Sequence, residues 1–150
     1  VTTKFSLETR ALRYLARREY SRKELEKKLF SSSPTPTRTE VVTLLDSLEQ
    51  RNFLSANRVV ENVIQIRRRK FGSQRIAHEL KQKGIDEHLI NTALLDLKKT
   101  ELDAAYDVWR KKFVALPDNI KERNKQARFL MSRGFSMAII HQLFSHANQE

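Results

Sequence analysis

Apolar residues recur along this chain in steps of three and four, the spacing that lines one face of an α-helix, and long runs of strict alternation are absent. Ala11, Leu12, Leu15 and Ala16 predict a first helix from near Ser6 to about Glu19. Leu25 and Leu29 mark a second inward face, and Val41, Leu44, Leu45 and Leu48 a third. The stretch most like a strand, VVENVIQI, still places Val59, Val60, Val63 and Ile64 at helical steps, so a helix is predicted from about Ser55 to Lys70. Further helices are predicted from Ser73 to about Lys83 and after Asp86. Ala105, Val108, Trp109 and Phe113 carry another, which breaks at Pro117 and Asp118.

The punctuation between these faces repeats. Gly84 follows IAHELKQK and precedes Ile85 and Asp86, and Gly134 follows a helical stretch and precedes Phe135 and Ser136. Leu80, Gly84, Ile85, Ile90 and Leu94 correspond in spacing to Leu130, Gly134, Phe135, Ile140 and Phe144. A glycine just past a helix end adopts the left-handed conformation cheaply; the next apolar residue then folds back and a polar one caps the following helix. Ser21 with Glu24, and Thr37 with Glu40, show the capping-box pattern. In the first part of the chain SSSPTP, an exposed loop, stands where the glycine turn stands later.

The fold class read from this pattern is all-α: tandem three-helix, helix-turn-helix-like repeats stacked into an elongated, curved rod. The repeats are placed at 6–54, 55–99 and 102–146, with neighbours expected to stack around a shared core. Composition agrees, because Gly and Pro each occur only three times. There is no cysteine, hence no disulfide framework, thiolate metal site or thiol nucleophile. No apolar run reaches membrane-spanning length and VTTKFSLETR lacks the apolar centre of a leader, so a cytoplasmic protein without membrane contact is expected.

Catalytic chemistry finds little support. The glycines are isolated, no G-x-S-x-G elbow occurs, and His78, His88, His141 and His146 show no ligand spacing on one helix. Acidic residues mostly neighbour Lys or Arg, as in KELEKK, where helix-surface pairing accounts for them. No catalytic residue, metal or cofactor is implied.

The net charge of +11 instead attracts polyanions. Arg67, Arg68, Lys70 and Arg75 belong to one basic cluster, and Arg110, Lys111, Lys125 and Arg128 to a second in the next repeat. Four consecutive cations at 67–70 spread around a helix, so some must face solvent. The clusters are read as one extended binding strip, against the plainer reading of a solvated face. Phe71, Trp109, Phe113, Phe129, Phe135 and Phe144 are assigned to the core, whereas Tyr14, Tyr20 and Tyr106 are left between core and surface.

FGSQRIAHELKQKGID closely resembles the signature of the bacterial RecX regulators, and ALRYLARREYSRKELEKKL, WRKKF and KQARFLMSRGFS extend the likeness over nearly the whole chain. The resemblance implies a non-enzymatic modulator of the RecA recombinase that lies in the groove of the RecA–DNA filament. It implies restraint of RecA ATPase and strand exchange in DNA repair and the SOS response. RecA is then the partner and single- or double-stranded DNA a second one; separately from the resemblance, capped terminal repeats point to a monomer. The competing reading is a helix-turn-helix transcriptional regulator with a preferred duplex site; a nuclease would need a carboxylate cluster that is not found.

Overall fold

The computed structural model describes residues 3–147, so the first two residues of VTTKFSLETR lie outside it. Nine helices and no strand occur among the described residues. They are α1 (Thr3–Arg17), α2 (Arg22–Phe30), α3 (Arg38–Gln50), α4 (Ala56–Arg67), α5 (Ser73–Gln82), α6 (Glu87–Lys99), α7 (Glu101–Lys112), α8 (Ile120–Ser132) and α9 (Met137–Ala147). Each successive trio encloses its own apolar cluster. Leu25, Leu29, Val41, Leu45 and Leu48 centre the first, Ile76, Leu80 and Ile90 the second, and Leu130, Phe135, Ile140 and Leu143 the third.

Three separate clusters correct the expectation of a shared core. The helices of one unit already cover most of one another's apolar faces. Ala16, expected inside, is exposed.

The caps explain where helices begin. Ser21 accepts from the Glu24 amide at 3.1 Å while the Glu24 carboxylate accepts from the Ser21 amide at 3.0 Å, a complete capping box. Thr37 supplies its half of the second box, accepting from the Glu40 amide at 3.2 Å. Asp86 caps α6 through the His88 amide at 2.8 Å, and Asn119 caps α8 through the Glu122 amide at 2.8 Å. No side-chain cap hydrogen bond is made at the start of α5, with Gly72 at the capping position, or at the start of α7, after Thr100.

Gly84 and Gly134 have φ of +77° and +95°. The amides of Ile85 and Phe135 return to the carbonyls of Leu80 and Leu130 at 3.1 and 3.2 Å, which closes both helix ends with the left-handed turn read from the sequence. Tertiary structure adds a second demand on glycine. A Cβ on Gly134 would lie 2.5 Å from Arg75 Cβ and 2.7 Å from Arg75 N, and one on Gly84 would lie 2.9 Å from Lys23 Cδ. The glycine turn of each later unit is therefore seated on the start of the preceding unit's middle helix. The corresponding loop of the first unit, SSSPTP, lies against its own unit beside Leu7, Arg10 and Glu40.

These geometries separate two substitutions. Gly134→Val meets backbone strain together with rigid neighbouring backbone and is expected to cost about 3 kcal/mol. Gly84→Val meets strain and the end of a flexible lysine, at about 1–2 kcal/mol. Thermal unfolding of both variants compares them; equal losses would show that Arg75 does not confine Gly134.

Candidate interaction surface

The predicted strip divides once its side chains are placed. Arg67 is exposed at the end of α4 and pairs with Glu79 at 2.9 Å. Lys70, Lys111, Lys125 and Arg128 are exposed and make no ion pair among the described residues. Arg110 is exposed and pairs loosely with Asp107 at 3.2 Å on its own helix. Such exposed pairs contribute little to stability and leave the cations open to a competing anion.

Arg68 does not belong to the exposed set. Its side chain is 17 % accessible and pairs with Glu101, itself 5 % accessible, at 2.6 Å. It also donates to the Leu97 carbonyl at 2.7 Å and Thr100 Oγ1 at 3.1 Å. The partner lies 33 residues further along the chain, so a local reading of four consecutive cations had no means of choosing the inward one. Glu101 completes its shell by accepting from both the backbone amide and the hydroxyl of Ser73. The node ties the end of α4, the start of α5 and the start of α7 together.

Arg75 remains exposed but is committed at one end. Its guanidinium lies 4.1 Å from the centre of the Phe71 ring and donates to the Ser132 carbonyl at 3.1 Å. Arg133 approaches Phe71 at 5.8 Å and Phe129 at 4.9 Å, and Lys112 stands 5.3 Å from Phe129. Phe113 meets Phe129 edge-on at 5.4 Å. Cations and ring faces thus alternate from the second unit into the third, each contact drawn by the ring quadrupole. Phe71, Phe113 and Phe129 are half-buried rather than wholly core, whereas Trp109, Phe135 and Phe144 are buried as predicted. Of the tyrosines, Tyr20 is buried, Tyr14 half-buried and Tyr106 exposed. The sequence reading missed the ladder, although basic residues close to Phe71, Phe113 and Phe129 were its available signal.

Arg68, Arg69, Thr100 and Lys111 line a shallow groove of about 290 Å³, which brings the ends of the two basic clusters beside each other. Asp103 and Asp107 share its wall. A second open hollow of about 500 Å³ lies on the third unit between Tyr106, Trp109, Val114, Leu116 and Leu143. Among the described residues no cluster of three or more His, Asp or Glu is placed to hold a metal, and no helix is long and apolar enough to cross a membrane.

At the first joint, burial pushes the Glu24 carboxyl up, but the Ser21 amide, Arg18 and Lys83 outweigh it and hold the group below the usual glutamate range. Arg18 lies 3.1 Å from Glu24 and 3.6 Å from the centre of the Tyr20 ring. Arg13 and Arg17 are exposed.

Taken together, the helices define an all-α protein of tandem three-helix units with exposed cations on its second and third units. Sequence models of the first, second and third three-helix domains of RecX match residues 9–31, 60–94 and 99–144, and the chain belongs to the RecX family of regulatory proteins. Regulatory protein RecX of Leptothrix cholodnii is 43 % identical over 145 residues, spanning 97 % of this chain and 91 % of that protein. Regulatory protein RecX of Ralstonia pickettii is 38 % identical over 144 residues, spanning 96 % and 89 %. The crystal structure of RecX from Lactobacillus salivarius superposes with a TM-score of 0.83 at 22 % identity, covering all of both chains. A further RecX crystal structure matches with a TM-score of 0.78 at 21 % identity over 93 % of this chain and 70 % of the other. At those identities the structural likeness speaks for the fold.

Proposed function

We propose that this protein binds the RecA–DNA filament as a monomer and restrains RecA ATPase and strand exchange, using exposed cations of its second and third units. The observation that carries the reading is the set of basic side chains without an ion pair among the described residues, Lys70, Lys111, Lys125 and Arg128, spread over two units of a chain that belongs to the RecX family. Arg67, Arg75 and Arg110 are exposed in the same two units. Arg68 holds the two units together. An extended set of exposed charges suits a long polyanionic surface better than a compact ligand.

The helix-turn-helix reading is disfavoured by the helices that follow the glycine turns. In a duplex reader these would enter the major groove, yet α6 opens with Asp86 and Glu87, and α9 contains neither Lys nor Arg.

The test is RecA-dependent ATP hydrolysis on single-stranded DNA across a salt series. Combined alanine replacement of Arg67, Lys70, Arg110, Lys111 and Lys125 is expected to keep the circular dichroism of the parent and to lose most of the inhibition. The salt dependence of binding should become shallower, by up to about one unit of log–log slope for each phosphate contact removed. Full inhibition by the folded variant would move the contact to the first unit, around Arg13, Arg17 and Arg18. Binding to one preferred duplex sequence without RecA would favour the transcriptional alternative.

A further inference from the structure

The two joints of the array are built from different materials. Between the second and third units backbone hydrogen bonds stand beside the buried Arg68–Glu101 pair: the Gly72 amide donates to the Arg133 carbonyl at 2.7 Å and the Gln74 amide to the Gly134 carbonyl at 3.2 Å. Glu101 receives the Ser73 amide at 3.1 Å, so the third unit supplies the cap that α5 lacks. The middle helices of the other units, α2 and α8, are capped by their own Ser21 and Asn119. Unit two thus depends on unit three to satisfy the start of its middle helix.

Between the first and second units no backbone hydrogen bond passes from one helix trio to the other among the described residues. The joint is instead an ionic clasp. Arg58 Nε meets Glu19 Oε1 at 2.9 Å, and Lys83 Nζ meets Glu24 Oε2 at 3.1 Å. All four side chains are between about a fifth and a third exposed. Arg58 also donates to Oδ1 and the carbonyl oxygen of Asn52, at 3.0 and 2.8 Å, within the connecting turn where Asn52 has a φ of +63°.

We infer that the first unit is a releasable arm, clasped to the second by Glu19–Arg58 and Glu24–Lys83 and able to swing about the Asn52 turn, while the second and third units move as one body. The inference does not depend on the partner proposed above. Loss of the two carboxylate charges removes the attraction that holds the arm, whereas the joint between units two and three keeps its backbone bonds. Ionic strength acts in the same direction, since the screening length falls from about 10 Å at about 0.1 M salt to about 3 Å at about 1 M.

Because the chain has no cysteine, two introduced ones are the only labelling sites. Spin labels at Thr43→Cys and Asn91→Cys span the first joint, and labels at Asn91→Cys and Ser145→Cys span the second; all three positions are exposed. Distance distributions are measured by double electron–electron resonance in the full chain, with and without Glu19→Gln and Glu24→Gln. Glutamine at position 24 can still complete the capping box, so α2 keeps its start. The expected result at about 0.1 M salt is a first-joint distribution roughly twofold wider in the double variant than in the parent, with the second joint unchanged. The parent should widen toward the variant at about 1 M salt. A first-joint width equal to the parent's under both conditions, or equal broadening at both joints, overturns the inference. Arg58→Gln with Lys83→Gln repeats the measurement from the other side of the clasp without touching Ser21 or Glu24, and an unchanged width there overturns it equally.

Discussion

Truncating Trp109 to alanine is expected to lower the unfolding free energy by about 4–6 kcal/mol. The side chain is buried on α7 and its Nε1 donates to Gln126 Oε1 at 2.8 Å. Removing a buried aromatic costs about 3–5 kcal/mol through lost transfer energy and the cavity left behind. The remainder comes from Gln126, which is 1 % exposed and loses the donor to its amide oxygen. Its amide nitrogen stays bonded to the Ala115 carbonyl and to Glu122, both at 3.1 Å, so the group cannot simply turn to find another donor. Trp109→Phe shifts the balance of the two contributions, because it keeps most of the apolar volume but loses the hydrogen bond along with part of the indole; about 2 kcal/mol is expected. Since each unit has its own core, hydrogen exchange should rise first in α7–α9 and least in α1–α3. Native stability in Trp109→Ala combined with loss of the proposed RecA inhibition would place the indole on a contact surface instead.

Glu101→Ala is expected to cost about 3–5 kcal/mol, the penalty for leaving a poorly solvated charge without its partner. Arg68 would keep its bonds to Leu97 and Thr100 but lose the anion that balances it. The Ser73 amide at the start of α5 would be uncapped at the same time. A buried pair taken as a whole is worth far less than this, because its attraction mostly offsets desolvation. The double variant Glu101→Ala with Arg68→Ala should therefore be less damaged than the sum of its singles by about 1–3 kcal/mol. Denaturant unfolding of the four members of this cycle measures the coupling. Strict additivity would show that Arg68 and Glu101 do not depend on one another.

The repeat was legible because it rests on local chemistry. Leu80, Ile85 and Ile90 match Leu130, Phe135 and Ile140 in burial as well as in spacing, and both glycines take the conformation that their place after a helix demands. Ser21 and Asp86 cap helices for the same short-range reason. Asn52 was not recognised, although the Phe53 amide returns to the Leu48 carbonyl at 2.9 Å in the same kind of turn. Asparagine tolerates the left-handed region but serves many other purposes, and so signals it more weakly than glycine.

The candidate surface was legible only in outline. Charge composition announced a basic protein, and solvent exposure of Lys70, Lys111, Lys125 and Arg128 follows from the cost of burying an ammonium or guanidinium group unpaired. The sequence by itself determined the helices, the local caps such as Ser21 and Asp86, the glycine turns and the excess of positive charge, because each depends on residues within a turn or two of one another. Tertiary structure alone decided that Arg68 faces Glu101, that Gly134 lies against Arg75, that three cores form in place of one, and that one joint has backbone hydrogen bonds across it while the other is held by exposed ion pairs. Those outcomes join residues tens of positions apart, and the energy that selects them exists only after the helices have packed.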